Sequence, residues 1–310
     1  MSQQRFVAIG ECMIELRHKT ERDLSMDFAG DTYNVSVYLA RLQQQTGVKI
    51  SYFTAVGDDP YSQIMLNIWQ NEAIDTTLVT TIPAKLPGLY FIRTDAQGER
   101  SLYFYRDQSA ARDMMKTSAT TAHLTTLRAY NYIYFSAITC AILDDTSRAK
   151  LFDTLTQARQ AGVTICFDSN YRPRIWRNRE TAQKTVSEFL QLVDIALPTF
   201  EDEQQLFDAP SAQACADRLL QIGVKEVVVK QGSEPCLIAT PQQRQWVPAQ
   251  KVSHVVDTTG AGDSFNAGYL AARFLKQTPE QAAQCGHKLA SVVVSHPGAI
   301  IPLETMPKLF

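Results

Sequence analysis

The stretch HVVDTTGAGDSFNAGYLAARF, running from His254 to Phe274, sets two carboxylates on either side of a tight small-residue turn and then becomes apolar with helical spacing. Its core is Asp257-Thr-Thr-Gly260-Ala261-Gly262-Asp263. Glycines at a helix entrance leave backbone N–H groups unshielded and aimed outward, an arrangement that favours anions. They also permit the turn and the close approach of a phosphate. The amides of Gly260, Ala261 and Gly262 therefore make a candidate anion hole. A carboxylate beside such a hole repels its occupant unless it has separate work. Asp263 is the candidate base for an attacking hydroxyl. Phosphoryl transfer depends mostly on positioning and charge neutralisation, so a carboxylate of ordinary pKa suffices. The competing reading makes Asp263 a helix cap and the glycines a plain strand–helix turn.

Working outward, short apolar runs alternate with longer amphipathic ones. RFVAIGECM, KISYFTAVG, YNYIYFSAI, GVTICFD, VDIALPT and VKEVVVKQG read as strands, several apolar on both faces. Between them, residues 31–45, 58–71, 144–161, 179–192 and 211–222 read as helices, and residues 263–276 and 279–295 follow near the end. This alternation predicts an α/β fold with a mostly parallel sheet covered on both faces. EPCLIAT and RQWVPAQ read as an antiparallel addition. Two segments break the rhythm. Leu86–Ala111 holds two strand-like runs joined by Asp95-Ala-Gln-Gly98, a hairpin signal, and Met13–Gly30 is polar with few helix signals. Together they predict a small antiparallel flap. Neither an internal repeat nor a linker divides the chain, so residues 1–310 read as a single domain, with the flap formed by about 13–30 and 86–108.

Composition narrows the partners. The chain has 310 residues, 45% hydrophobic and 20% charged, with a net charge of −2 and a pI of about 6.2. That balance favours a small-molecule partner over nucleic acid. The six cysteines form no C-x-x-C pair and the five histidines show no ligand spacing, which argues against zinc and redox motifs. No apolar run reaches membrane-spanning length and no leader-like segment opens the chain, so the expectation is a cytoplasmic protein that engages no membrane. P-loop and G-x-G-x-x-G patterns are both missing, which removes the main support for those nucleotide folds.

Three further segments carry candidate ligands. Asp168-Ser-Asn170-Tyr-Arg172 follows the strand GVTICF, and ligands of open parallel sheets bind at strand carboxyl ends. In SLYFYR, strand alternation puts Phe104 and Arg106 on one face and Tyr103 and Tyr105 on the other. Lys230 ends an apolar strand, where a solvated surface lysine is the plainer reading.

The string DTTGAGDSFNAGYL resembles the C-terminal signature of the ribokinase family of carbohydrate kinases, and AGDTYNVSVYLARL (Ala29–Leu42) resembles its N-terminal one. VGDDPYSQIM fits the next family segment. GECMIEL, GDTYN, LPGLYFI, YFYRDQSAA, FDSNYRPRIW and GVKEVVVKQG look most like the 2-keto-3-deoxy sugar-acid kinases within it. The resemblance covers nearly the whole chain. It implies a ribokinase-like three-layer α/β sandwich with a small β lid, and ATP-dependent phosphorylation of 2-keto-3-deoxygluconate at its primary hydroxyl. Asp263 would be the catalytic base and Gly260, Ala261 and Gly262 the anion hole. Gly30, Asp31 and Asn34 would hold sugar hydroxyls, while Tyr90, Arg106 and Arg172 would hold the acid. Lys230, Gly232, Gly260 and Gly262 would border ATP, with Asn170 near the phosphates, and Mg²⁺ would be held mainly by phosphates and water.

A physical argument accompanies the substrate. A sugar acid needs guanidinium groups, which Arg106 and Arg172 supply, and two buried arginines are costly to leave without anions. The chain departs from the family pattern in places. Thr199-Phe-Glu201-Asp202 stands where N-x-x-E is common, and Ala29-Gly30 replaces a double glycine. Phe104 stands where the subgroup has an aromatic hydroxyl; either one substrate hydrogen bond is missing or Tyr105 supplies it. The alternatives are a kinase for a neutral sugar or another sugar acid, and a catalytically silent sugar-acid sensor. The apolar lid strands are edge liabilities unless paired, so a homodimer joined through the lids is expected.

Overall fold

The computed structural model describes residues 3–94 and 100–310. In chain order the strands are β1 (Arg5–Ile9), β2 (Met13–His18), β3 (Leu24–Ala29), β4 (Lys49–Val56), β5 (Val79–Thr81), β6 (Leu89–Thr94) and β7 (Arg100–Tyr105). They continue as β8 (Tyr132–Ser136), β9 (Thr164–Asp168), β10 (Ile195–Ala196), β11 (Glu226–Gln231), β12 (Glu234–Ala239) and β13 (Arg244–Val247). Among the described residues, the main sheet has the order β13-β12-β11-β10-β9-β8-β1-β4-β5. It is parallel from β11 to β5, and β12 and β13 add antiparallel at one edge.

The sheet is apolar on both faces because each face has its own core. Val7 and Ile9 of β1 join Phe135 and Phe167 on one side. Phe6 and Ala8 join Tyr134, Phe265 and Tyr269 on the other. Period-two alternation thus feeds two helical layers, the three-layer sandwich expected. Each large side chain removed from water here contributes about 1.5–3 kcal/mol.

Most helices begin where their caps dictate. Asp59 accepts from the amides of Tyr61 and Ser62, and Pro60 opens the helix Pro60–Asn71. Asp144 caps Asp145–Gln160 through Ser147 N. The helix expected over 31–45 ends at Arg41, and a short separate turn, Gln43–Thr46, follows it. The run YNYIYFSAI is strand only as far as Ser136. There a capping box between Ser136 and Thr139 starts the helix Ala137–Ile142. The helix Phe200–Phe207, only eight residues long, adds to the helices expected.

A second sheet has the order β3-β2-β6-β7. β2 pairs antiparallel with β3 and parallel with β6, and β6 pairs antiparallel with β7. These are the arms of the expected flap; the turn signal Asp95–Gly98 lies outside the described residues. One face of this sheet packs Met13, Ala29, Tyr90 and Ile92 against Ala299 of the main body. The residues Leu102 to Tyr105 on β7 are exposed.

Candidate active site

Two helices that pack together bring the two signatures into contact. Asp31–Arg41 starts at Gly30, and Ala261–Phe274 starts at Gly260. Gly30 is extended, and a Cβ there would lie 2.1 Å from the carbonyl oxygen of Glu11, so only glycine fits. Gly260 is left-handed (φ 74°), and a Cβ there would lie 2.6 Å from the carbonyl oxygen of Ala299. Gly260 is the N-cap and supplies no side chain to the first-turn amides, so Asp263 is not the cap. The Ala261 amide donates to Thr258 O at 3.2 Å, which engages it within the turn. Of the three expected anion-hole residues, Gly260 and Gly262 are thus better placed than Ala261.

Asp263 sits in the first helical turn, partly buried. Asn34 Nδ2 donates to its Oδ2 at 2.7 Å, and Asn34 Oδ1 accepts from Gly30 N at 3.4 Å. Asn34 therefore aims the carboxylate with one amide N–H and keeps the other. Burial, and next the charge of Asp31, push Asp263 up to about 7; Asp168 adds to the rise, while Asn34 and Lys230 oppose it. Burial and crowding thus hold Asp263 above the ordinary carboxylate range that would suffice for the reaction type. Asp31 is itself raised, chiefly by burial.

The floor of the site is a hydrogen-bonded cluster. Lys230 Nζ donates to Asp168 Oδ2 at 3.2 Å and to Asn266 Oδ1 at 2.9 Å. Asn266 Nδ2 donates to Asp168 Oδ2 at 2.7 Å and to the Tyr134 hydroxyl at 3.0 Å. Lys230 is buried, not a solvated lysine, and a Cβ on Gly262 would come 3.6 Å from its Nζ. This places a cation beside the glycine turn. Asn170 Nδ2 donates to Asp31 Oδ2 at 2.9 Å, so Asn170 is committed to the helix carrying Asn34. Asn266 went unnoticed in the sequence, although it lies three residues past Asp263 and hence on the same helical face.

A cavity of about 730 Å³ is lined by Lys230, Gly232, Gly262, Phe265 and His287, with Glu201 at its edge. A second, of about 780 Å³, is lined by Met13, Phe104, Arg106, Ile138 and Arg172. Arg106 and Arg172 share it, but not as two buried cations without anions. Arg106 donates to Glu11, and both side chains are almost wholly buried, at 6% and 0% exposure. The Arg172 side chain is 54% exposed, donating to Tyr171 O at 2.8 Å and to Asp202 at 3.3 Å. The argument from two unpaired buried arginines is corrected accordingly: Glu11 neutralises one, and the other is half-exposed and paired with Asp202. Burial raises Asp202 to about 6, against the lowering effect of Arg172.

Tyr90 is buried, and its hydroxyl donates to Glu15. Phe104 stacks on Tyr90 with centroids 5.3 Å apart, on the face toward the cavity. Tyr105 lies edge-on to Phe91 at 5.9 Å on the opposite face, so it does not replace the missing hydroxyl. Strand alternation had already separated the two.

A partly buried aspartate beside an uncapped helix start, with a lysine at the same turn, is an arrangement suited to phosphoryl transfer to a hydroxyl group. The pfkB family carbohydrate kinase profile matches residues 3–306. The 2-dehydro-3-deoxygluconokinase of Escherichia coli K12 is 43% identical over 307 residues, covering 98% of this chain and 99% of that one. The enzyme of the same name from Dickeya dadantii is 42% identical over 310 residues, covering 99% and 100%. A putative ribokinase II from E. coli in complex with ATP and Mg²⁺ superposes with a TM-score of 0.82 at 21% identity, covering 99% of this chain and 96% of that one. The chain belongs to the pfkB family of carbohydrate kinases.

Proposed function

We propose that the chain transfers the γ-phosphoryl group of ATP to the primary 6-hydroxyl of 2-keto-3-deoxygluconate. The observation that carries the reaction type is Asp263, aimed by Asn34 and set one residue beyond the Gly260–Gly262 turn. The substrate rests on the full-length relatives at 42–43% identity and on Arg106 and Arg172 in one cavity.

In this reading an Asp263 oxygen takes the hydroxyl proton as the sugar oxygen attacks the γ-phosphorus. The amides of Gly260 and Gly262 and the Lys230 ammonium hold the transferring group, and ADP leaves. A base near neutrality is matched to that proton transfer at neutral pH. The residues present fit a magnesium nucleotide. Lys230, the helix start and Glu201 line one cavity, where Lys230 and the helix start would face the phosphates and Glu201 would supply an oxygen donor to a water-held ion. When bound, Mg²⁺ would supply positive charge that offsets the charge of the phosphates. Gly30, Asp31, Tyr90 and Arg106 shape the acceptor side, and Arg172 meets the carboxylate.

The small sheet acts as a lid over the acceptor, excluding water that would otherwise hydrolyse ATP. Its exposed β7 residues, Leu102–Tyr105, suit pairing with the lid of a second copy. Sedimentation equilibrium tests this: a monomer at micromolar concentration rejects it. A cytoplasmic location accords with six free cysteines, five of them buried. Steady-state kinetics with 2-keto-3-deoxygluconate, its galactonate epimer and fructose test the substrate. A higher kcat/KM for fructose rejects the sugar-acid reading, and failure to phosphorylate any of the three favours the silent sensor.

A further inference from the structure

Asp257 opens the glycine turn, and its carboxylate braces it. Oδ1 accepts from Thr259 N at 2.8 Å, and Oδ2 accepts from Gly298 N at 3.0 Å. The segment it reaches is the wall on which Gly260 is seated, through Ala299 O. Tyr38 pins that same segment, donating to Ala299 O at 2.6 Å and accepting from Ile301 N at 3.2 Å.

A second element reaches Asp257 from the small sheet. Arg17 on β2 donates through Nη1 to Asp257 Oδ2 at 3.4 Å and through Nη2 to Glu15 Oε1 at 3.1 Å. Glu15 also accepts from the Tyr90 hydroxyl on β6, and Tyr90 stacks on Phe104, which lines the acceptor cavity. A continuous run of contacts therefore joins the cavity wall to the anion-hole turn: Phe104, Tyr90, Glu15, Arg17, Asp257. Arg17 is the only cation in that run, and it serves two carboxylates that are each about 6% exposed. Moving the small sheet moves the guanidinium, and with it the charge balance at the turn.

We propose that Arg17 is a positioning residue that couples the small sheet to the anion-hole turn, so that the amides of Gly260 and Gly262 reach transfer geometry when the sheet is seated on its substrate. The inference rests on the kinase reading above. Displacing a reacting group by about 1 Å can cost roughly a hundredfold in rate. A mobile turn should therefore cost kcat far more than it costs nucleotide binding.

The experiment compares full-length wild type, Arg17→Ala and Arg17→Lys. In Arg17→Ala, kcat should fall about 10- to 100-fold with the KM for ATP changed less than threefold. Methylguanidinium should restore part of the rate in Arg17→Ala and leave wild type unaffected. In wild type, 2-keto-3-deoxygluconate should tighten calorimetric binding of a non-hydrolysable ATP analogue, and in Arg17→Ala that tightening should vanish. Arg17→Lys keeps the charge without the fork and should fall between; it carries the test if Arg17→Ala does not fold. A kcat within twofold of wild type together with retained tightening overturns the proposal. If wild type fails to phosphorylate 2-keto-3-deoxygluconate, it is the substrate reading that fails. The same variant ratios are then measured with the sugar that wild type does turn over.

Discussion

Replacing Asp263 with asparagine should make the protein more stable and nearly inactive, with the stability gain depending on pH. The carboxyl is raised from 3.8 to about 7. An acid whose folded pKa lies above its unfolded value favours folding in its protonated form, so ionisation is a cost. That cost is absent below pH 4, grows as pH rises toward 7, and is complete above it. The full difference corresponds to about 4 kcal/mol. Some of it is shared with Asp31 and Asp168, so a net gain of about 2–4 kcal/mol is expected at pH 8. Asparagine keeps an oxygen for the Asn34 amide, so the 2.7 Å contact survives. Urea unfolding of both proteins at pH 5 and pH 8 measures the effect: the variant's advantage should be larger at pH 8. Loss of the base should lower kcat by about 10²- to 10⁴-fold. In wild type, kcat/KM should rise with pH through an inflection near 7. A variant whose advantage over wild type is no larger at pH 8 than at pH 5 would refute the crowded-carboxylate argument, and near-wild-type turnover would refute the role of base.

Three further outcomes follow from neighbouring geometry. Arg172→Ala should raise the KM for the sugar acid about tenfold or more and leave the kinetics with fructose unchanged; the exposed side chain means a stability change within about 0.5 kcal/mol by thermal melt. Glu11→Ala strands Arg106 in the interior and should cost about 3–5 kcal/mol in denaturant unfolding, with Glu11→Gln milder. Gly260→Ala forces a Cβ against Ala299 O in a left-handed residue, and should cost about 2–4 kcal/mol in the same assay along with a large drop in kcat.

The fold was legible because the central strands of the main sheet are short apolar runs that bury both faces, and most of the long helices start at a side-chain cap. What escaped was short or bipartite: the helix inside FSAI, and the break at Leu42. The candidate site was partly legible for a related reason, since Gly260, Gly262 and Asp263 are neighbours in the chain. Glu11, Arg17 and Asn266 were not, because each acts through a partner far away in sequence. Glu11 meets Arg106 across 95 positions, Asn266 meets Asp168 across 98, and Arg17 meets Asp257 across 240. The pKa of Asp263 was beyond reach for the same reason: it is set first by burial and then by Asp31, with Asp168 adding to it, and only the folded chain supplies all three.

The hydrogen bond from Asn34 to Asp263 spans 229 positions. On a ribosome adding roughly 5–20 residues per second, Asn34 emerges some 10–45 seconds before its partner. The nascent chain therefore carries the acceptor half of its centre long before it can perform transfer. Two fragments divided in the exposed loop after Ala239, at Thr240–Gln243, would each lack one half of the centre, and activity would report their reassembly directly.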